Sequence, residues 1–560
     1  MIGVCGCFME VVDYIGRFVL SLLLREEEIP YDEAIEAKYA EDELALVEQL
    51  RQRGWDGDLE SLDPLLLLDA RIKRHRERDH DSERDRFLSV LENDERYRFA
   101  LRSSTAFHEG VHFHQLIGTT FGRTLFDLSQ QKCQREHAKA LLSLGLSTES
   151  LWHNVSPQSW EDVVTEDVAI TELLTFLLGN FTPSTAERVP SGTLSSYLSP
   201  GQVVQGSVYT IVLNATSYPL GAVVALEGWA YALSRLVIAE VGGVDSMEDY
   251  ASSMSADCLW HYTLLDEALD TLIGEMYTRL DSTDRYGAIA RVAYFALQVG
   301  FPCESDEHIV RDSWLKDPAN WPSYRLFVLL AAISTQPKDL WEQGPIHEVL
   351  ASLIRQLEQG LDWPDHRWLT IASALELSER RERATPNTRH RTRSGARIIE
   401  WPVSRPSTAS SADAYGWFQR IYSQLHSKIA RQMLGTPSIL VEHRQWFPAW
   451  NVNLLPWPLL NTYLKEHSDG SMVRRLWFNH FDIGSGWDAG MAVLMYVLRE
   501  VIEDINASGS LPEVCPLKRR RIEWRCGSEK ATACNLGGTI HFCPFEDALA
   551  LLRGQRPADI

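Results

Sequence analysis

The stretch from Ser103 to Gln130, SSTAFHEGVHFHQLIGTTFGRTLFDLSQ, constrains this chain more than any other. It contains His108-Glu109-Gly110-Val111-His112, an H-E-x-x-H pattern. Phe107, Val111, Leu116 and Phe121 recur near helical spacing, and Ser103, Ser104 and Thr105 offer N-caps, so the segment reads as a helix. At about 100° per residue, positions four apart lie about 40° apart around a helix. His108 and His112 therefore point the same way, one turn apart, as two imidazoles sharing one metal ion must. Glu109 lies to the side, within reach of a water on that metal but not as a ligand. Gln115, seven residues after His108, falls on the same stripe and can orient a ligand from behind; His114 does not. With 17 histidines in 560 residues, a chance H-E-x-x-H is on the order of a one-in-thirty event. The alternative is a surface or core helix that happens to carry two histidines, and the capped, apolar-periodic context weighs against it.

Two histidines leave a zinc-type site one protein ligand short. The segment Tyr218 to Val241, YPLGAVVALEGWAYALSRLVIAEV, is predicted as a helix with Pro219 in its first turn. Its small residues, Gly221, Ala222, Ala225, Gly228 and Ala230, allow another helix to approach closely. One carboxylate, Glu227, stands in this apolar sequence, where a lone charge is costly unless paired or metal-bound. Glu227 is the candidate third ligand; pairing with an Arg or Tyr is the competing reading. Glu172, in the acid-rich helix predicted over Glu161 to Gly179, ranks second. Asp266, Glu267 and Asp270 are expected on a solvated face or as partners of His108 or His112.

Composition narrows the function classes. A net charge of −23 argues against general affinity for nucleic acid, since an acidic field repels phosphates. Nine scattered cysteines form no tight framework and suit a reducing, cytoplasmic setting. The apolar N-terminus is interrupted by Glu10, Asp13 and Arg17, so it reads as a packed helix and not as a signal or membrane segment. No membrane partner is expected.

Four regions are expected along the chain. Residues 1–100 form an N-terminal helical region, with a strand or hairpin at Phe87 to Leu91 and Arg96 to Leu101 leading into the motif helix. Residues 101–377 form the metal-binding domain, 378–412 an Arg/Ser/Pro-rich linker, and 413–560 a C-terminal region. Residues 181–210, rich in Pro, Ser, Thr and Gly, are expected as a loop. Further helices are predicted within 285–375 and over Met491 to Ile505. Cys515, Cys526, Cys534, Cys543 and His541 lack paired C-x-x-C spacing and read as scattered thiols.

HEGVHFHQ together with Glu227-Gly228-Trp229-Ala230 resembles the zincin metallopeptidases of the gluzincin type. It also resembles a bacterial metallopeptidase group that pairs an H-x-x-Q helix with an E-G-W-A helix. That group usually spaces its first two histidines more widely and places its tyrosine one residue later than Tyr231. The resemblance covers two helices. It implies a mainly α fold, a zincin-like helical core with a small β-hairpin or sheet beside the active-site helix, and an additional helical C-terminal region. It further implies Zn²⁺ on His108, His112 and Glu227, Glu109 as general base, Tyr231 as the donor to a developing oxyanion, and a peptide or protein substrate. Arg235, His261 and Tyr262 stand behind Tyr231 as further donors. Two other readings use the same residues. Glu109-x-x-His112 is half of a helical di-iron pattern, with Glu172 and Glu227 as partners. Alternatively, a non-catalytic zincin scaffold would bind a regulatory protein partner through the C-terminal region.

Overall fold

The computed structural model describes residues 119–151, 158–178, 184–185, 194–198, 260–299, 317–360, 460–466, 472–478, 486–519, 522–523 and 543–553. It also describes Gln52 and, in part, 100–118, 205–250 and 414–433. The N-terminal helices expected before residue 70, the first hairpin strand at 87–91, the linker at 378–412, and Cys526, Cys534 and His541 lie outside the described residues.

The described part is mainly α-helical. Between 100 and 118 every described residue is helical, Ala100 and Ser104 included. Ala100 is thus helical, and the second hairpin strand expected at Arg96 to Leu101 is corrected there. Packing overrides the local cap signal there, because Ala100 and Ser104 are fully buried. Gly242 lies so close to Ala100 that a Cβ on it would come within 3.2 Å of the alanine methyl.

The motif helix ends at Thr119. Helix α1 (Thr120–Ser143) follows at once, then α2 (Trp160–Leu178). The Thr119 hydroxyl donates to the Gln115 carbonyl (2.7 Å) and accepts from the Gly122 amide (2.9 Å), closing one helix and capping the next. A Cβ on Gly122 would stand 2.1 Å from the Leu116 carbonyl oxygen, so glycine is needed where the chain folds back over its own turn.

Residues 181–210, expected as loop, instead hold strands β1 (Ser184–Thr185) and β2 (Leu194–Leu198) and the start of β3 (Gln205–Leu213). With β4 (Thr216–Pro219) they form an antiparallel sheet of order β1-β4-β3-β2. The run Val208, Tyr209, Thr210, Ile211, Val212 is β-branched or aromatic throughout, a strand composition that outweighs the flanking turn formers. β3 and β4 are joined by Asn214-Ala215, both at positive φ (50° and 63°), as in a two-residue hairpin whose twist matches the strands. Pro219 pairs with Thr210 in that hairpin, so the next helix, α3 (Ala222–Gly242), begins later than its composition suggested.

α3 is the central helix. It packs against α4 (Trp260–Ile273) and α5 (Ser282–Leu297), which are followed by α6 (Pro322–Ser334) and α7 (Ile346–Gly360). Gly228 brings α3 close to α4: a Cβ there would meet the Leu265 side chain at 3.2 Å. The window Ala222–Ala239 is long and apolar enough to cross a bilayer by length and composition, yet 83% of it is buried inside the protein.

Toward the C-terminus come β5 (Leu460–Glu466) and β6 (Met472–Phe478), then α8 (Gly486–Ser508), β7 (Ile522–Glu523) and α9 (Pro544–Leu552), with the strands ordered β5-β6-β7. α8 packs on α1 and α9. Residues of the C-terminal region also reach the motif helix. Tyr422 donates its hydroxyl proton to the Leu116 carbonyl (2.7 Å), and His426 Nδ1–H donates to the Ile117 carbonyl (2.9 Å). Met433 and Ile429 press against Gly118. These bonds satisfy carbonyls that a helix end otherwise leaves open. Cys133, Cys515 and Cys543 are partly buried.

Burial pushes His137 and His426 down to about 3. Both therefore stay neutral in the folded protein while the unfolded chain takes up their protons below about pH 6.5. Stability is then full above about pH 6.5 and falls as the pH drops toward about 3. Each histidine removes about 2 kcal/mol by about pH 5. Urea unfolding at pH 7.5 and pH 5 checks this, and His426→Gln should flatten the difference. Gly122→Ala is expected to destabilise by about 1–3 kcal/mol or more, read as a lowered urea midpoint, because the Leu116 backbone cannot move without displacing the motif helix.

Candidate metal centre

Helical spacing on one side and α3 on the other bring three predicted residues together. His108 Nε2 lies 3.0 Å from Glu227 Oε2, His112 Nε2 lies 3.1 Å from the same oxygen, and the two Nε2 atoms are 2.9 Å apart. The imidazoles meet edge to face, with ring centroids 4.5 Å apart at 89°. The side chains are 4–12% exposed, so the cluster is nearly dry but not sealed. Among the described residues this is the group of His, Cys, Asp and Glu side chains able to hold a metal ion.

The protons around the cluster can be assigned from its neighbours. The Gln115 amide donates to the Leu226 carbonyl (3.0 Å), which turns its Oε1 toward His112 Nδ1 at 2.8 Å. His112 must therefore carry its proton on Nδ1. Ser234 donates to the Ala230 carbonyl (2.8 Å), leaving only a lone pair for His108 Nδ1 at 3.4 Å. Both Nε2 atoms are thus bare when the rings are neutral, and they face a carboxylate oxygen.

Three lone pairs converging at about 3 Å with no positive charge among them are unfavourable. Two imidazoles and one carboxylate at this spacing suit one ion reached at about 2.0–2.2 Å from each. The donor set therefore fits a divalent metal of the zinc type.

The remaining predicted residues fall in different places. Glu109 lies outside the described residues. Tyr231, one turn beyond Glu227, is buried, and its hydroxyl has no hydrogen-bond partner among the described residues. Its ring meets Tyr262 (5.9 Å), which in turn stands 5.6 Å from the His108 ring. His261, its ring tilted 40° against Tyr262 at 4.4 Å, is pushed down to about 4 by burial, with Glu227 acting against that shift. Glu172 is on α2 and outside the His108–His112–Glu227 group. Ser234 was missed by sequence reading, although it lies seven residues after Glu227 and hence on the same stripe.

The expectation for Asp266 is corrected. It partners neither histidine. Instead it accepts from Arg235 Nη1 (3.3 Å), from Arg285 Nε (2.8 Å) and Nη2 (3.0 Å), and from the Tyr277 hydroxyl (2.8 Å). Arg235, proposed from sequence as a donor behind Tyr231, is thus tied to Asp266 and stacks over the rings of Tyr286 (4.8 Å) and Tyr231 (5.6 Å). The physical reason is burial: two guanidinium groups packed between α3, α4 and α5 require a carboxylate, and among the described residues Asp266 supplies it. Glu267, by contrast, is exposed and accepts from Thr263.

No protein-family model, no curated protein and no solved structure matches this chain. The centre therefore stands on its own geometry.

Asp266→Ala leaves Arg235 and Arg285 without their buried counter-charge. A loss of about 3–5 kcal/mol in unfolding free energy is expected, measured by urea denaturation. A change within about 0.5 kcal/mol would show that these arginines find other partners.

Proposed function

We propose that this protein is a zinc-dependent hydrolase, most concretely a metallopeptidase acting on a peptide or protein substrate. The observation that carries the reading is the convergence of His108 Nε2, His112 Nε2 and Glu227 Oε2 within 2.9–3.1 Å of one another. The resemblance of HEGVHFHQ and LEGWA to gluzincin-type zincins, seen in the sequence, supports the same assignment.

When bound, zinc supplies Lewis acidity and brings water toward ionisation near neutral pH. The chain's own residues supply the rest. Glu109, the second residue of H-E-x-x-H, takes the proton of the attacking water and returns it to the leaving amine. Tyr231 has its hydroxyl pushed up to about 12, chiefly by burial, so it stays protonated and can donate to a developing oxyanion. His261, neutral for the reason given above, adds no positive charge beside the three ligands.

The di-iron alternative needs a second carboxylate–histidine pair, and the metal-capable group among the described residues has three members, not six. A non-catalytic scaffold would have no use for a base at Glu109. The C-terminal region touches the end of the motif helix through Tyr422 and His426, which makes it the place where a protein partner would influence the centre.

Elemental analysis of purified protein tests the proposal. About one zinc per chain is expected in the wild type and much less in His108→Ala and Glu227→Ala. Glu109→Gln should keep its zinc while losing about 10²–10⁴-fold in peptide hydrolysis. Two irons per chain, no metal, or full activity in Glu109→Gln would each refute it.

A further inference from the structure

The three residues come from two helices that are far apart in sequence, and the Gln115 side chain bridges them. Gln115 is fully buried. Its carbonyl oxygen receives the His112 Nδ1 proton (2.8 Å), and its amide donates to the carbonyl of Leu226 (3.0 Å), the residue immediately before Glu227. One amide group therefore sets the tautomer and ring angle of one ligand and the backbone position of another. The other histidine has a looser counterpart: Ser234 stands 3.4 Å from His108 Nδ1 and gives its own proton to Ala230. Support behind the ligands is thus unequal, strong at His112 and weak at His108.

We propose that Gln115 is a positioning residue that locks the His112 ligand to the Glu227 helix, so that the affinity of the centre for zinc depends on this amide. The inference rests on the metal reading above and adds that preorganisation across the two helices, and not the three ligands alone, sets how tightly the ion is held. Oriented outer partners of this kind commonly account for about 10–100-fold in metal affinity.

Gln115→Met keeps the length of the side chain and removes both hydrogen bonds. Gln115→Glu keeps the acceptor toward His112 and removes the donor to Leu226. Zinc dissociation constants are measured for full-length protein by competition with a chromophoric chelator, alongside the melting temperature of each metal-free form. For Gln115→Met, zinc binding about 10–100-fold weaker is expected, with a smaller zinc-induced rise in melting temperature. Gln115→Glu should recover only part of this, and Ser234→Ala should lose less than Gln115→Met.

Unchanged zinc affinity in Gln115→Met overturns the proposal. So does a metal-free melting temperature that drops while the zinc-induced increment stays at the wild-type value, since that is what a purely structural role gives. Full recovery in Gln115→Glu overturns the coupling to Leu226, and this arm also decides the matter if the methionine variant fails to fold. A wild type that binds no zinc is a different failure, that of the metal reading itself, and the wild-type measurement alone reveals it.

Discussion

Two imidazole nitrogens and one carboxylate oxygen are held 2.9–3.1 Å apart in a nearly dry helical core. Most of the surrounding architecture acts to keep them there. The two histidines come one turn apart on a helix whose end is closed by Thr119, Tyr422 and His426. Glu227 comes from α3, which can approach closely because Gly228 leaves room for Leu265 of α4. Gln115 then ties the two helices through the backbone just ahead of Glu227. A divalent cation held among these three side chains would link metal binding to stability in the same residues.

A second charged cluster joins α3 to its other neighbours without sharing His108, His112 or Glu227. Arg235, Asp266, Arg285 and Tyr277 join α3, α4 and α5, and the Arg235 guanidinium lies over Tyr286 and Tyr231. Groups of this type favour one packing over others, because removing one partner strands the rest in a low-dielectric interior. The tyrosines extend the contact toward the centre, from Tyr231 to Tyr262 and on to the His108 ring. An aromatic layer thus lies between the two clusters.

How much was legible beforehand depended on whether the signal was local. Helical periodicity placed α2, α5, α6, α7 and α8 close to where they lie, because apolar spacing on a single segment carries that information. It also placed His108 and His112 on one face. Boundaries fared worse. The strands at 184–213 ran against a turn-rich composition, and Pro219 belongs to the hairpin because β3 offered Thr210 as its partner. Ala100 is helical where a strand was expected, and it packs beside Gly242. Asp266 is a similar case. No spacing rule assigns it to Arg285, nineteen residues away, and only the fold places the two together.

The sequence by itself determined the chemistry on offer: two imidazoles four residues apart, a lone carboxylate in an apolar helix, and a glutamine on the histidine stripe. These follow from residue type and helical geometry, which are local properties of the chain. The tertiary structure decided which carboxylate meets the histidines and what lies behind each of the three side chains. Glu227 and His112 are 115 residues apart, and nothing in either segment records the distance between them. That distance is fixed by the packing of whole helices, summed over many side chains, and it becomes readable only when the chain is folded.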